Sequence, residues 1–126
     1  RLTTEVLGVS LAVGSLATAI LVVNNLRDRQ TDSDAGKLTL VVRFGARFGR
    51  AEYAALIAAA YAIPCLLVAF AKLPPRALWV LASLPFAVQQ LRLVLTRDGA
   101  DLNEQLGGTA RVGLLFAATL SLGVAA

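Results

Sequence analysis

The chain has 126 residues, 57% of them hydrophobic and 16% charged, with a formal net charge of +4. A soluble domain carries about 25% charged residues, so the composition excludes an ordinary soluble fold, and its hydrophobicity excludes disorder. A single Cys and no His exclude a disulfide scaffold and a His/Cys metal cluster.

Charge is absent from 6–23, 53–71, 77–91 and 112–126. A bilayer core of about 30 Å is crossed by roughly 20 helical residues. The first run predicts a transmembrane helix over 6–23, in which Gly8, Ser10, Gly14, Ser15 and Thr18 allow close helix approach. It has neither the basic flank nor the small-residue cleavage site of a signal peptide. The charged segment 24–52 follows. The second run predicts a span over 53–71, kinked at Pro64, with Cys65 as an inert small hydrophobe and Tyr61 as a packing residue. KLPPRA at 72–77 is a tight connector into a third span over 73–94, with Trp79 near its non-cytoplasmic end. Asp98, Asp101, Asn103 and Glu104 read as a solvated loop. A fourth span over 107–126 reaches membrane length when Gly107–Arg111 starts it. The fold class is therefore all-α, a polytopic membrane helical bundle with four transmembrane helices. The absence of Met and the start at Arg1 read as an internal or C-terminal piece of a longer protein.

With four spans, segments 24–52 and 92–111 share one side. That side carries Arg27, Arg29, Lys37, Arg43, Arg47, Arg50, Arg92, Arg97 and Arg111, against Arg1, Lys72 and Arg76 on the other. The excess of positive charge places 24–52 in the cytoplasm. The net charge is thus a topology signal. Nucleic acid is not an expected partner, because the bases lie between spans without interleaved aromatics.

Segment 24–52 is far longer than a connector between two helices needs, and such loops are disordered or functional. Asn24, Asp28 and Asp32 are spaced by four, so a continuing helix stacks them on one face with a drift of about 40° per step. Two carboxylates at that spacing repel weakly. The repulsion turns to use if a hard cation lies between them, and Mg²⁺ takes one or two carboxylates together with phosphate oxygens and water. Arg27, Arg29, Lys37 and Arg43 surround the pair, as bases suited to a diphosphate. Gly36 and Gly45 are natural turning points. An isolated D-x-x-x-D is more often a solvated cap. Its position at the exit of a membrane span, followed by GK and a basic run, sets an anion-and-metal site beside that reading.

The run NNLRDRQTDSDAGKLTLVVRFG resembles the second aspartate-rich motif of the UbiA superfamily of intramembrane prenyltransferases, nearest to the branch that acts on 1,4-dihydroxy-2-naphthoate. Asn24, Asn25, Arg27, Asp28, Asp32, Gly36, Lys37, Thr39, Leu40, Val42, Arg43 and Gly45 fall on the pattern. Leu38 departs from it, standing where an Arg is usual. DLNEQLGGTARVGLLFAATLSLG is similar to the last-helix signature through Leu102, Asn103, Thr109, Ala110, Leu114, Leu115 and Phe116.

The resemblance implies a bundle of about nine spans, of which this chain supplies the last four. It implies Mg²⁺ held by Asn24, Asp28 and Asp32, with Asp28 and Asp32 catalytic, and diphosphate bound by Arg27, Lys37 and Arg43. The implied substrates are a prenyl diphosphate and an aromatic acceptor, with decarboxylation, in menaquinone synthesis in a bacterial cell membrane. Asn25, Gln89, Gln90 and Arg92 are the acceptor or cavity candidates, since the last three lie at the cytoplasmic end of the third helix. The first aspartate-rich motif occurs nowhere in the chain, so an N-terminal half is an expected partner and the piece alone is expected to be inactive. The alternatives are another aromatic acceptor within the superfamily, or a non-enzymatic multispan protein.

Overall fold

The computed structural model describes residues 2–126 as six α-helices and two 3-10 segments, with no strand among the described residues. Helix α1 is Thr4–Arg27, begun by Thr3, whose side chain accepts from the Val6 amide at 3.3 Å. Two short helices follow, α2 Arg29–Asp34 and α3 Leu40–Phe44, then the long α4 Ala46–Ala69. A 3-10 segment, Pro75–Ser83, leads into α5 Leu84–Thr96, and a shorter one, Gly99–Leu102, into α6 Asn103–Ala125. Four stretches are long and apolar enough to cross a membrane: Thr4–Arg27, Ala46–Ala69, Pro75–Thr96 and Gly99–Ala125.

The helices outrun the uncharged stretches that foretold them. The first continues past residue 23 to Arg27, the second begins at Ala46 instead of 53, and the last begins at Asn103 instead of 107. Charge marks where a side chain meets water, whereas backbone hydrogen bonding continues for as long as partners exist. Segment 24–52 is therefore a folded cap of α2 and α3 between the ends of two long helices. The Asp98–Glu104 stretch likewise contains a 3-10 turn and the start of α6.

The third span departs most, since its first nine residues are 3-10. Pro85 has no amide hydrogen, and its ring crowds the carbonyl four residues back, which disfavours an α-helix running through this point from Pro75. A new α-helix starts instead with Pro85 in its first turn, where the missing donor costs nothing. At Pro64, by contrast, the chain stays helical on both sides and the ring is buried.

α1 packs on α4 and α6, and α6 also packs on the Pro75–Ser83 segment. The core joins Ala12, Leu16 and Val23 of α1 to Tyr53 and Ile57 of α4 and Val112 and Phe116 of α6. Small residues set the closest approaches: Gly8 faces Leu67, and Gly49 lies under Val41 and Leu26. Tyr61 is buried, as a packing residue should be. Its hydroxyl bonds to Ser83 Oγ at 2.7 Å and its ring meets Phe116 edge to face, centroids 5.2 Å apart. Only 28–33% of the most apolar window of each span is buried. Most of the helix surface is left for lipid or for further helices.

α4 closes on a backbone turn with Ala71 in the left-handed region at φ 54°. Lys72 N–H donates to Leu67 O at 2.7 Å and Ala71 N–H to Val68 O at 3.0 Å, the paired bonds of a Schellman cap. Glycine is the usual residue there because a Cβ is penalised. Ala71→Gly is expected to stabilise the fold by about 0.5–1 kcal/mol, read as a rise in the thermal unfolding midpoint in detergent.

Candidate active site

Asn24 and Arg27 lie in the last turn of α1. Asp28 joins α1 to α2 with φ −94° and ψ 8°, so the two helices are nearly one. Asp28 N–H still donates to Asn24 O at 3.0 Å and Asp32 N–H to Asp28 O at 2.7 Å, which preserves the four-residue stacking.

The Arg27 guanidinium is the centre of the cluster. Nε and Nη2 grip the two oxygens of Asp28 at 2.7 and 2.9 Å. Nη2 also donates to Asn24 Oδ1 at 2.8 Å, and Nη1 reaches across to α6, where it donates to Asn103 Oδ1 at 3.0 Å. These bonds hold the Asp28 carboxyl below the usual carboxylate range, chiefly through Arg27's hydrogen bonds against the opposing effect of desolvation, then through the charges of Arg27 and Lys37. A depressed folded-state value means the pair stabilises the cap above the ordinary carboxylate range. That contribution is lost as pH falls through the lowered value.

Asp32 is anchored differently. α2 ends in a Schellman cap: Lys37 N–H donates to Asp32 O at 2.8 Å and Gly36 N–H to Ser33 O at 3.0 Å, with Gly36 at φ 76°. The GK pair thus has a local meaning, because the glycine allows the turn that folds Lys37 back to Asp32. Lys37 Nζ lies 3.6 Å from Asp32 Oδ1, while Asp32 Oδ2 is buried without a hydrogen-bond partner. Nothing lies within 4 Å of a Cβ built at Gly36, so Gly36→Ala would act through the backbone alone. It is expected to cost about 1 kcal/mol, read as a lower thermal unfolding midpoint of the purified protein.

Gly45, at φ 90° and ψ 170°, separates α3 from α4 in a conformation essentially confined to glycine. The resulting fold of the cap brings Asn25, Lys37 and Arg43 to one cavity of about 620 Å³, walled by Thr18, Leu21 and Glu52. Asn24, Arg27 and Asp28 turn instead toward α6. The candidate residues of the cap are therefore split between an acidic face and a basic cavity.

The acceptor candidates on α5 diverge. Gln90 is buried, donating to Gln105 Oε1 at 2.7 Å and to Gln105 O at 3.3 Å, while Gln89 and Arg92 are exposed. Gln89 lines a cavity of about 680 Å³ between α5 and α6, with Phe86, Glu104 and Arg111. Gln90 borders the same cavity, and Arg92 opens onto a neighbouring apolar groove with Leu81 and Val88 that Gln89 also lines. The chain from Gln90 continues through Thr109, whose Oγ1 donates to Gln105 O at 2.8 Å and lies 3.0 Å from the Tyr53 hydroxyl. This buried network ties α4, α5 and α6 together.

Sequence reading placed Asn103 and Thr109 on the last-helix signature without assigning them a contact, and passed over Gln105 and Tyr53. The signal for two of them was present: Gln105 and Thr109 are polar at i, i+4 at the start of an apolar span, and polar groups at membrane depth turn inward. Nothing in spacing could pair Asn103 with Arg27, 76 residues away.

Comparison with known proteins gives this geometry its context. A profile described as the UbiA prenyltransferase family matches residues 1–120. The chain belongs to the UbiA prenyltransferase family. It is 36% identical over 116 residues to a 1,4-dihydroxy-2-naphthoate octaprenyltransferase of Haemophilus influenzae, covering 90% of this chain and 38% of that protein. The Escherichia coli K12 protein of the same name is 36% identical over 117 residues, covering 90% and 37%. That of Mycobacterium leprae is 34% identical over 116 residues, covering 87% and 37%. The chain thus spans under two-fifths of the length of the curated relatives it matches. No solved structure matches it. Family membership and the four apolar helices together make this an integral membrane protein.

UbiA prenyltransferases generally use a divalent metal, and the donors present suit one. Asn24 Oδ1 and both Asp28 oxygens already converge on a cation, the Arg27 guanidinium. Asp32 adds a buried oxygen with no partner. Among the described residues no group of three or more His, Cys, Asp or Glu is assembled. Two carboxylates and an amide oxygen are the sparse, hard set that a small divalent cation shares with phosphate and water.

Proposed function

We propose that this chain is the C-terminal part of an aromatic prenyltransferase. It would move a polyprenyl group from its diphosphate to 1,4-dihydroxy-2-naphthoate, in menaquinone synthesis. The observation that carries the reading is the oxygen cluster of Asn24 and Asp28, already closed around a cation, one helical turn before Asp32 with its unpartnered oxygen. The relatives named above support the choice of acceptor.

In this reading Asn24, Asp28 and Asp32 would hold Mg²⁺, which would supply charge neutralisation to the departing diphosphate. Lys37 and Arg43, on one cavity wall, offer point charges to the diphosphate oxygens. Asp28 stays ionised because Arg27 pairs with it, and Lys37 Nζ lies 3.6 Å from Asp32 Oδ1. The allylic C–O bond breaks and diphosphate takes the electron pair. The acceptor ring then forms the new C–C bond, and the pair from its C–carboxylate bond returns to the ring as CO₂ leaves. Asn25 shares the basic cavity, while Gln89 and Arg92 lie on the α5 side as candidates to receive the acceptor. Gln90 braces α5 from its bond to Gln105. The cap carrying these groups lies on the cytoplasmic side, in a bacterial cell membrane.

A UbiA active site is built from two aspartate-rich motifs, and we assign the first to an N-terminal half. The isolated 126-residue chain is then without Mg²⁺-dependent prenylation, whereas the enzyme that carries it is active. The test supplies membranes containing that enzyme with radiolabelled prenyl diphosphate and, in turn, 1,4-dihydroxy-2-naphthoate, 4-hydroxybenzoate and homogentisate. Labelled product with the naphthoate alone is expected. Labelling of another acceptor reassigns the substrate, and no labelling with any of them returns the chain to a non-enzymatic role.

A further inference from the structure

A guanidinium carries five N–H donors. In Arg27 four are committed: Nε–H and one Nη2–H to Asp28, the other Nη2–H to Asn24, and one Nη1–H to Asn103. One N–H remains, on Nη1. A residue so occupied cannot offer the two-pronged grip by which arginine ordinarily binds phosphate. Its charge and its geometry are spent on Asp28 and Asn24.

The fourth bond comes from another helix. Asn103 is the first residue of α6 and follows Leu102, which is 2% exposed and belongs to the same core as Leu26 of α1. The Gly99–Leu102 turn packs against α1, so the start of α6 is fixed beside the end of α1. Arginine only donates, so the carboxamide oxygen is the atom that faces Arg27.

We infer that Asn103 is a positioning residue: from the start of α6 it fixes the Arg27 guanidinium, and through it the Asp28 carboxylate and the Asn24 amide. The inference rests on the prenyltransferase reading of the Asp28 cluster. Without Asn103 the guanidinium keeps its grip on Asp28 but loses the contact that sets its rotation, so Asp28 keeps its charge and loses its aim. α6 thereby becomes part of the site without touching substrate.

The test uses the enzyme that carries this chain, with Asn103→Leu, Asn103→Asp, Arg27→Ala and the double variant Arg27→Ala/Asn103→Leu. Asn103→Leu removes the acceptor at similar volume and is expected to lower kcat about ten-fold, with KM for the prenyl diphosphate nearly unchanged. Asn103→Asp keeps an oxygen acceptor and should recover most of the loss. The double variant should be no worse than Arg27→Ala alone, because the effect of Asn103 passes through Arg27. In metal-free enzyme, Asn103→Leu should also speed amide exchange in residues 27–32 while leaving exchange in α4 unchanged. Additive losses in the double variant, no rescue by Asn103→Asp, or unaltered exchange in 27–32 would each overturn the inference. Full activity of Asp28→Ala defeats the underlying prenyltransferase reading instead, and the exchange measurement still reports on the clamp.

Discussion

Asp28→Ala and Asp32→Ala are each expected to lower prenylation by the enzyme carrying this chain at least about a hundred-fold, yet only Asp28→Ala is expected to destabilise the fold. The two carboxylates have different surroundings. Asp28 holds both of its oxygens against Arg27. Its loss strips a half-buried guanidinium of its main partner and leaves it the neutral oxygens of Asn24 and Asn103. Asp28→Ala should therefore lower the thermal midpoint as well as activity. Asp32 has one oxygen loosely paired with Lys37 at 3.6 Å and the other buried without a partner. A buried acceptor left unsatisfied costs about 1–3 kcal/mol, a cost with no structural return among the described residues. Asp32→Ala should accordingly leave the midpoint unchanged or raise it while activity collapses. Rate assays and thermal unfolding on the same preparations separate the two cases. Retained activity in Asp32→Ala would remove that oxygen from the metal set.

The contrast shows which parts of the site the sequence could carry. The Asn24, Asp28, Asp32 spacing was legible because it follows from helical periodicity, and the helix does run nearly unbroken through Asp28. The GK pair was legible as a turn because only the backbone of Gly36 matters there. The partner of Arg27 was not, because a guanidinium can serve an anion from a ligand or from its own chain. Three-dimensional proximity decides between them, and here two of its four bonds go to the neighbouring Asp28. The same limit applies to Gln89 and Gln90. Both sit at one end of α5 and border the same cavity, but the roughly 100° between consecutive helical residues buries Gln90 in its bond with Gln105 and leaves Gln89 exposed. Four apolar spans could be counted from charge alone, whereas the 3-10 start of the third required weighing Pro85 against the carbonyl of Leu81.

The largest expected effect on folding comes from the far end of α6. A Cβ at Gly123 would lie 2.1 Å from the Arg76 carbonyl oxygen, 2.8 Å from its carbon and 3.1 Å from Ala77 Cα. All three atoms belong to the backbone, so no side-chain rotation relieves the contact. Either the last turns of α6 or the Pro75–Ser83 segment must move by about 1 Å. Neither is free to do so, because Ala77, Val80 and Leu120 are buried in the shared core. Overpacking of this kind costs about 1–3 kcal/mol, occasionally more, and Gly123→Ala is expected to lie at the upper end. In a membrane protein the penalty is sharp, since helices there are held by close packing of small residues and not by exclusion of water. Gly113 provides the comparison on the same helix: no atom lies within 4 Å of a Cβ built there. Gly113→Ala should leave stability unchanged or raise it by up to about 1 kcal/mol, whereas Gly123→Ala should lower the midpoint markedly and reduce the folded yield in detergent. Equal tolerance at both positions would mean that α6 does not seat on Arg76 as described. A loss at Gly113 measured in the whole enzyme but absent in this chain alone would show that a helix from outside the chain covers that face.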